Sequence, residues 1–397
     1  MAQKRVAVIG AGVCGLSSIK CCLDEGLEPT CFERSGDIGG LWRFEENPEE
    51  GRASIYKSVI INTSKEMMCF SDFPIPADFP NYMHNSKIME YFRMYADHFD
   101  LLKYIRFKTI VVSVTKRPDF STTGQWDIVT ETAGKQESAI FDGVMVCTGH
   151  HTNAHLPLDS FPGIEKFKGR YFHSRDYKKP QEFSGKRVIV IGIGNSGTDL
   201  AVELSHTADQ VFLSTRRGAW ILGRIGEEGY PMDTIYITRY VEFLRRIVPL
   251  SLLNYFAEKK LNAKFNHAIY GLQPAHRYVK SQRYTIQVDY IPYMDEVACQ
   301  AGVKPKLLSL FLMDPKLAVE VFSGPCTPYQ YRLRGPGKWD GARKAILTQR
   351  ERIIKPLKTR VLDDYTGALV PYYLQIFLIV ALIAVTFAYF PWSFFPL

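Results

Sequence analysis

Glycines spaced as Gly-x-Gly-x-x-Gly occur twice in the chain, and the first set directly follows the apolar run 6–9, which is rich in β-branched residues. In this pattern the first glycine permits a tight turn, and the second lets the backbone approach a pyrophosphate. The third glycine lets a helix pack close to the strand, so that the free N–H groups at the helix N-terminus face the phosphates. The pattern predicts a dinucleotide site formed by Gly10, Ala11, Gly12, Val13, Cys14 and Gly15.

A carboxylate at the end of the next predicted strand, 29–33, supports this interpretation. Glu33 stands eighteen residues after Gly15, where such folds place an acidic side chain that accepts a hydrogen bond from a ribose 2′-OH. The alternative is a glycine-bearing turn that only packs a helix on a strand. The order of strand, turn, helix and acidic strand end favours the nucleotide site.

The second glycine set repeats the pattern of strand, turn and helix, so that two dinucleotides are expected. Its next strand, 211–215, ends without an acidic residue, at Thr215 followed by Arg216 and Arg217. A carboxylate there would repel a 2′-phosphate, whereas a guanidinium can bind one in bidentate fashion. NADPH is therefore predicted here, with an exposed basic pair on a turn as the alternative. The predicted contacts are Gly192, Gly194, Asn195, Ser196, Gly197, Thr198, Thr215 and Arg216.

Composition indicates a globular protein of two or three domains, with 397 residues and a net charge of +8. Its basic residues are dispersed and no nucleic-acid motif is present, so we expect no nucleic-acid partner. Eight cysteines without CxxC spacing predict reduced thiols in the cores of a cytosol-facing protein. We find neither a nucleophile motif nor metal-ligand spacing.

Three further stretches have a more specific sequence than the glycine sets. The first is Gly39-Gly40-Leu41-Trp42, and the second is the run 51–76, which contains Asn62 and Thr63. The third is the pattern Phe167-x-Gly169-x-x-x-His173-x-x-x-Tyr177. All three resemble the microsomal flavin-containing monooxygenases, the dimethylaniline monooxygenase family. For the third we expect a structural role between the two nucleotide domains, without proton transfer by His173.

The resemblance implies FAD in the first site and NADPH in the second. It implies FAD contacts at Gly40, Leu41, Trp42, Asn62 and Thr63, and a catalytic role for Asn62, whose amide would hydrogen-bond to the hydroperoxide formed on the flavin. An ordinary turn asparagine is the alternative. The expected reaction transfers one oxygen atom from O₂ to soft nucleophiles (nitrogen or sulfur) or, in Baeyer–Villiger fashion, to ketones among small lipophilic substrates. Two alternatives stay open: a non-catalytic variant, and an NADPH oxidase that releases hydrogen peroxide.

The resemblance is interrupted between His276 and Tyr278, where the family ordinarily has a further stretch that completes both nucleotide domains. Loss of that stretch would expose sheet edges and apolar surface. The predicted regions are an FAD-binding domain (1–154), an incomplete NADPH-binding domain (155–280), a C-terminal cap (281–362) and a membrane anchor (363–397).

The predicted anchor contains nineteen uncharged residues, 372–390, with aromatic residues at both ends and basic residues ahead of it. A buried core helix is the alternative. We therefore predict an α/β fold with two Rossmann-like dinucleotide-binding domains and a C-terminal transmembrane helix. The family implies the endoplasmic reticulum membrane, with the catalytic part facing the cytosol, and a homodimer is left open.

Overall fold

The computed structural model describes residues 3–278 and 290–359. Contacts divide the chain into two units, Met1–Pro356 and Leu357–Leu397, and the folds described here belong to the first. The predicted membrane anchor lies outside the described residues. Within the described ranges, no helix has both the length and the apolar character that a membrane span requires.

Nine strands are formed in the described ranges: β1 (Arg5–Ile9), β2 (Glu28–Phe32), β3 (Ile105–Arg106), β4 (Thr109–Lys116), β5 (Trp126–Thr132), β6 (Lys135–Phe141), β7 (Gly143–Val146), β8 (Arg187–Ile191) and β9 (Gln210–Ser214). The α-helices there are α1 (Val13–Asp24), α2 (Lys65–Met68), α3 (Asn85–His98), α4 (Phe120–Thr123), α5 (Asn195–Leu204), α6 (Met232–Tyr236), α7 (Arg239–Ile247), α8 (Leu250–Lys264), α9 (Tyr290–Gln300), α10 (Leu307–Met313), α11 (Pro315–Ser323) and α12 (Ala342–Ile354). Strands and helices alternate around both glycine sets, which gives the α/β class.

The first fold is a parallel four-stranded sheet in the order β3-β2-β1-β7. Its central strand β1 is apolar because both of its faces are covered. Leu16 and Ile19 of α1 belong to the core cluster on one face, while Phe32 and Phe141 meet edge to face, with ring centroids 5.9 Å apart, in a separate cluster. That second cluster joins the parallel sheet to the antiparallel sheet β4-β5-β6.

The second fold is smaller, because the described residues give it only the parallel pair β8 and β9 with helix α5. Leu200 and Leu204 of α5 are buried and pack against β8 and β9. Alternate residues of β8 are exposed, as expected for a sheet with one covered face. The incompleteness of this region stays a prediction.

Helices α11 and α12, which belong to the predicted cap, pack on the core of the first fold through Leu317, Val321 and Ile346. Arg352 of α12 donates to both carboxylate oxygens of the buried Glu66, at 2.9 and 2.7 Å. A buried, bidentate pair needs both partners in place, so it fixes where the cap sits on the first fold.

All eight cysteines are free thiols, but the prediction that they lie in cores is only half right. Cys22, Cys31, Cys69 and Cys326 are buried, and Cys147 is half-buried, whereas Cys14, Cys21 and Cys299 are exposed. The exposed ones lie on the outward faces of helices, a position that the surrounding apolar sequence did not reveal.

Candidate functional site

The first glycine turn has the tight geometry that its sequence predicts. Gly10 has φ +101°, and its N–H donates to the Phe32 carbonyl at 2.9 Å, so the turn is held at the end of β2. A Cβ on Gly15 would lie 1.9 Å from the Gly10 oxygen, so only glycine lets α1 approach this closely. Gly12 is the residue immediately before α1, and Val13 and Cys14 begin the helix.

Glu33 lies beside this turn, as its spacing predicts, and the protein itself uses part of its hydrogen-bonding capacity. One carboxylate oxygen accepts from the Ala11 N–H at 2.8 Å, and the other accepts from the N–H and hydroxyl of Ser35 at 2.8 and 2.7 Å. A carboxylate has about four lone-pair sites, so acceptor capacity remains for a ribose hydroxyl.

The second loop of the predicted FAD site meets the glycine turn face to face. Gly39 donates its N–H to the Ala11 carbonyl at 3.0 Å, and residues Gly40–Trp42 form one 3-10 turn. Gly40 has φ +51°, and a Cβ on it would lie 3.2 Å from the Gly12 Cα. Gly12 and Gly40, which have no side chains, thus line a cradle next to the N-terminus of α1. Such a cradle fits the pyrophosphate of FAD.

The second glycine set forms the same turn in more open surroundings. Gly192 has φ +106° and donates to the Ser214 carbonyl at 3.0 Å, and a Cβ on Gly197 would lie 2.2 Å from the Gly192 oxygen. Nothing lies within 4 Å of a Cβ built on Gly192 or Gly194. Helix α5 begins with Asn195 and Ser196, and the Thr198 hydroxyl donates to the Gly194 carbonyl at 3.0 Å.

Thr215 and Arg216 directly follow β9 at the same end of the sheet as this turn, and Arg216 is exposed. A guanidinium at that edge can reach a phosphate at the turn. The backbone geometry of the turn and the charge of Arg216 are therefore compatible with the predicted NADPH site.

Asn62 lies on an exposed turn just before α2, and two residues from the second nucleotide region contact that turn. Arg224 donates through Nε to the Asn62 Oδ1 at 2.8 Å, and Asp233 accepts the backbone N–H of Ser64 at 2.7 Å. Sequence reasoning missed Arg224 and Asp233, which lie more than 160 residues further along the chain. No motif marks either of them.

The signature pattern ties the segment around Tyr56 to helix α5. Tyr177 is buried, packs edge to face with Tyr56 and donates to Glu203 of α5 at 2.9 Å. Tyr56 donates to Asp199 of the same helix at 2.6 Å. Burial, together with the adjacent carboxylates, raises the pKa of both tyrosines, which therefore remain neutral donors.

His173 accepts the Arg175 N–H at 3.1 Å at the start of a short 3-10 turn. This contact caps the turn, and the junction role of the signature pattern without proton transfer by His173 stays a prediction.

A sequence model of the family described as FMO-like, Flavin-binding monooxygenase-like, matches residues 3–282 and 273–390. Flavin-containing monooxygenase 5 of Homo sapiens is 50% identical over 505 residues, covering 91% of this chain and 95% of that protein. The Mus musculus protein of the same name is 49% identical over 533 residues, covering 98% of this chain and all of that protein.

Among solved structures, S-allyl-L-cysteine S-oxygenase from Allium sativum has a TM-score of 0.51 and 26% sequence identity. That match covers 58% of this chain and 54% of the garlic enzyme, so the structural likeness spans about half of each.

These matches also confirm the predicted internal loss. The alignment with the mouse protein runs over 533 residues, whereas this chain has 397. The two matches to the family meet within residues 273–282, where the resemblance was predicted to break. The chain is therefore a member of the flavin-binding monooxygenases, the FAD-dependent enzymes that use NADPH and O₂, and it lacks an internal stretch that its relatives possess.

Proposed function

We propose that the first glycine turn holds FAD and that Asn62 is the residue that assists oxygen transfer. The observation that carries this proposal is the cradle between Gly12 and Gly40, with the Glu33 carboxylate beside it. FAD, when bound and reduced by NADPH, supplies the activation of O₂. The residues of the chain bind the cofactor, orient it and exclude water, and the Asn62 amide donates a hydrogen bond where negative charge develops.

The second glycine turn is proposed to take NADPH through Gly192, Gly194 and the α5 N-terminus, with Arg216 on the 2′-phosphate. Support comes from the matching turn geometry and from the exposed guanidinium that follows β9. An acidic residue at that position would favour NADH instead.

The proposed substrates are small lipophilic thioethers, amines and ketones. The relative from Allium sativum is named for oxygenation at sulfur. The 50% sequence identity to flavin-containing monooxygenase 5 of Homo sapiens supports flavoprotein monooxygenase chemistry in general. A second function, an NADPH oxidase releasing hydrogen peroxide, stays the alternative, because the missing internal stretch would normally help to exclude water from the flavin.

The ratio of oxygenated product to NADPH consumed tests the proposal, measured with a thioether and with a ketone. An absorbance spectrum after gentle extraction first establishes that flavin is bound. We expect Asn62→Ala to retain flavin but to lower the oxygenation step about a hundredfold, because one preorganised donor is lost. An unchanged high ratio would remove Asn62 from the mechanism, and a ratio near zero in both proteins would favour the oxidase. Absence of flavin or of NADPH turnover would favour a non-catalytic variant.

The apolar run 372–390 is proposed to anchor the chain in the endoplasmic reticulum membrane, with the nucleotide folds in the cytosol. Support comes from its length, its aromatic ends and the basic residues ahead of it. Deleting 372–397 should move the protein to the soluble fraction without altering its flavin content. Size-exclusion chromatography of the same variant tests for a homodimer.

A further inference from the structure

Arg224 occupies a backbone position that is fixed from two sides. Its carbonyl accepts the Met232 N–H at 2.9 Å and the Tyr82 hydroxyl at 2.5 Å. Ile225 and Pro231 form an isolated antiparallel bridge in the same segment. These backbone contacts fix the position of the Arg224 Cα, so the point from which its side chain extends does not depend on the contacts of the guanidinium.

The guanidinium bridges a helix of the second fold and the turn that carries Asn62. Its Nε donates to the Asn62 Oδ1 at 2.8 Å, and its Nη2 lies 3.8 Å from the Asp199 Oδ1. The other carboxylate oxygen of Asp199 accepts the Tyr56 hydroxyl at 2.6 Å. Asp199 is therefore held in place and in turn balances the charge of Arg224.

A guanidinium has donors only, so it can pair with the oxygen of an amide but not with its –NH₂ group. Arg224 thus selects one of the two orientations of the Asn62 amide. In that orientation the –NH₂ group is the part of the amide that does not face the Arg224 Nε. Without Arg224 both orientations become accessible, and one of them would turn a carbonyl oxygen toward the place where a donor is needed.

We propose that Arg224 is a positioning residue for oxygen transfer, which orients the Asn62 amide so that its –NH₂ group can donate to the activated oxygen. Asp199 lies on α5, the helix that begins at the second glycine turn, so the same contacts connect the NADPH site with Asn62. The inference rests on the proposed function of Asn62 and extends it to a residue of the other fold.

The first test compares product formed per NADPH consumed in three variants of the full chain. Arg224→Met removes every donor and should lower the ratio about tenfold, because a misplaced catalytic group loses much of its effect. Arg224→Lys retains one charged donor and should restore part of the ratio. Arg245→Met is the matched control, since Arg245 is exposed on α7 and pairs there with Glu242. Arg224→Met with an unchanged ratio would overturn the proposal.

Asn62→Asp separates the inference from the proposed function. An aspartate can still accept from Arg224 but has no N–H to donate at neutral pH. If Asn62→Asp keeps a full ratio, the donor role of Asn62 fails. If Asn62→Asp loses the ratio whereas Arg224→Met keeps it, the donor role stands and the positioning role of Arg224 fails.

The contact itself is tested without turnover, by thermal unfolding of the flavin-loaded protein. Arg224→Met and Asn62→Ala should each lower the melting temperature by about 1–2 °C. The double variant should lose no more than the larger single variant, since both changes break the same hydrogen bond. Additive losses would show that the two side chains do not interact, and the proposal would be wrong.

Discussion

In the first fold β1 lies between β2 and β7, whereas in the second fold β8 has only β9 beside it among the residues that the structure describes. The first glycines of the two turns have similar backbone conformations, with φ +101° at Gly10 and +106° at Gly192. Their surroundings differ. A Cβ on Gly10 would lie 2.7 Å from the Cys147 carbonyl oxygen, but one on Gly192 would meet nothing within 4 Å.

The strands show the same contrast in their side chains. Val6 and Val8 of β1 are 7% and 0% exposed, while Ile189 and Ile191 of β8 are 62% and 64% exposed. A turn of this kind forms from its own few residues, because glycine conformations and the adjacent strand suffice. Its enclosure needs distant strands, and the second fold lacks them in the described residues, in agreement with the internal stretch that the relatives possess and this chain does not.

The largest expected difference concerns charges on the two central strands. Val8→Asp buries an unpaired carboxylate and should cost about 4 kcal/mol or more, enough to abolish flavin binding. Ile189→Asp places the same side chain in solvent and should cost less than about 1 kcal/mol. Thermal unfolding of the two variants measures both effects. An equally large loss for Ile189→Asp would mean that another part of the protein covers this face.

Alanine at the first glycine of each turn sharpens the comparison. Both substitutions place a Cβ at positive φ, which costs about 1–2 kcal/mol. Gly10→Ala also forces its Cβ against the Cys147 carbonyl, which should add about 1–3 kcal/mol and weaken FAD retention. Gly192→Ala has open space and should show the smaller loss of melting temperature. Equal losses would indicate that the second turn is as enclosed as the first.

Replacement of Arg216 tests the difference in ligand. Arg216→Gln should weaken NADPH binding about tenfold to a hundredfold, because a charge-assisted bidentate contact contributes about 1.5–3 kcal/mol. NADH, which has no 2′-phosphate, should bind nearly as before. Titration of both nucleotides measures the ratio, with Arg217→Gln as the matched control. Equal losses for NADPH and NADH would make Arg216 structural.

The smallest expected effect concerns the tether between the Tyr56 segment and α5. Tyr177→Phe removes one hydrogen bond to Glu203 but keeps the buried ring, so it should cost about 0.5–1.5 kcal/mol. Flavin content should stay unchanged, since this contact lies at α5 rather than at the first turn. Calorimetry and the flavin spectrum check the two expectations. Loss of flavin in Tyr177→Phe would show that the first site depends on this tether.

The sequence alone determined the local features of this protein. The predicted strand ending at Glu33, the helix after Gly12 and the second strand–turn–helix unit all form within a few residues of their predicted bounds. Turn glycines, apolar periodicity and acidic strand ends involve residues that are close together in the sequence, so the sequence pattern predicts them directly. The sequence also predicted the break in the family resemblance, because two parts of the family pattern that are normally separated follow each other directly in this chain.

Tertiary structure decided which groups meet. The close approach of Gly40 to Gly12 and the hydrogen bond from Arg224 to Asn62 join residues whose separations no local pattern encodes. Ile189 has the apolar character of a core residue, yet it is exposed because burial depends on strands supplied from elsewhere in the chain. Local conformation follows from neighbouring residues, whereas enclosure and orientation follow from long-range packing.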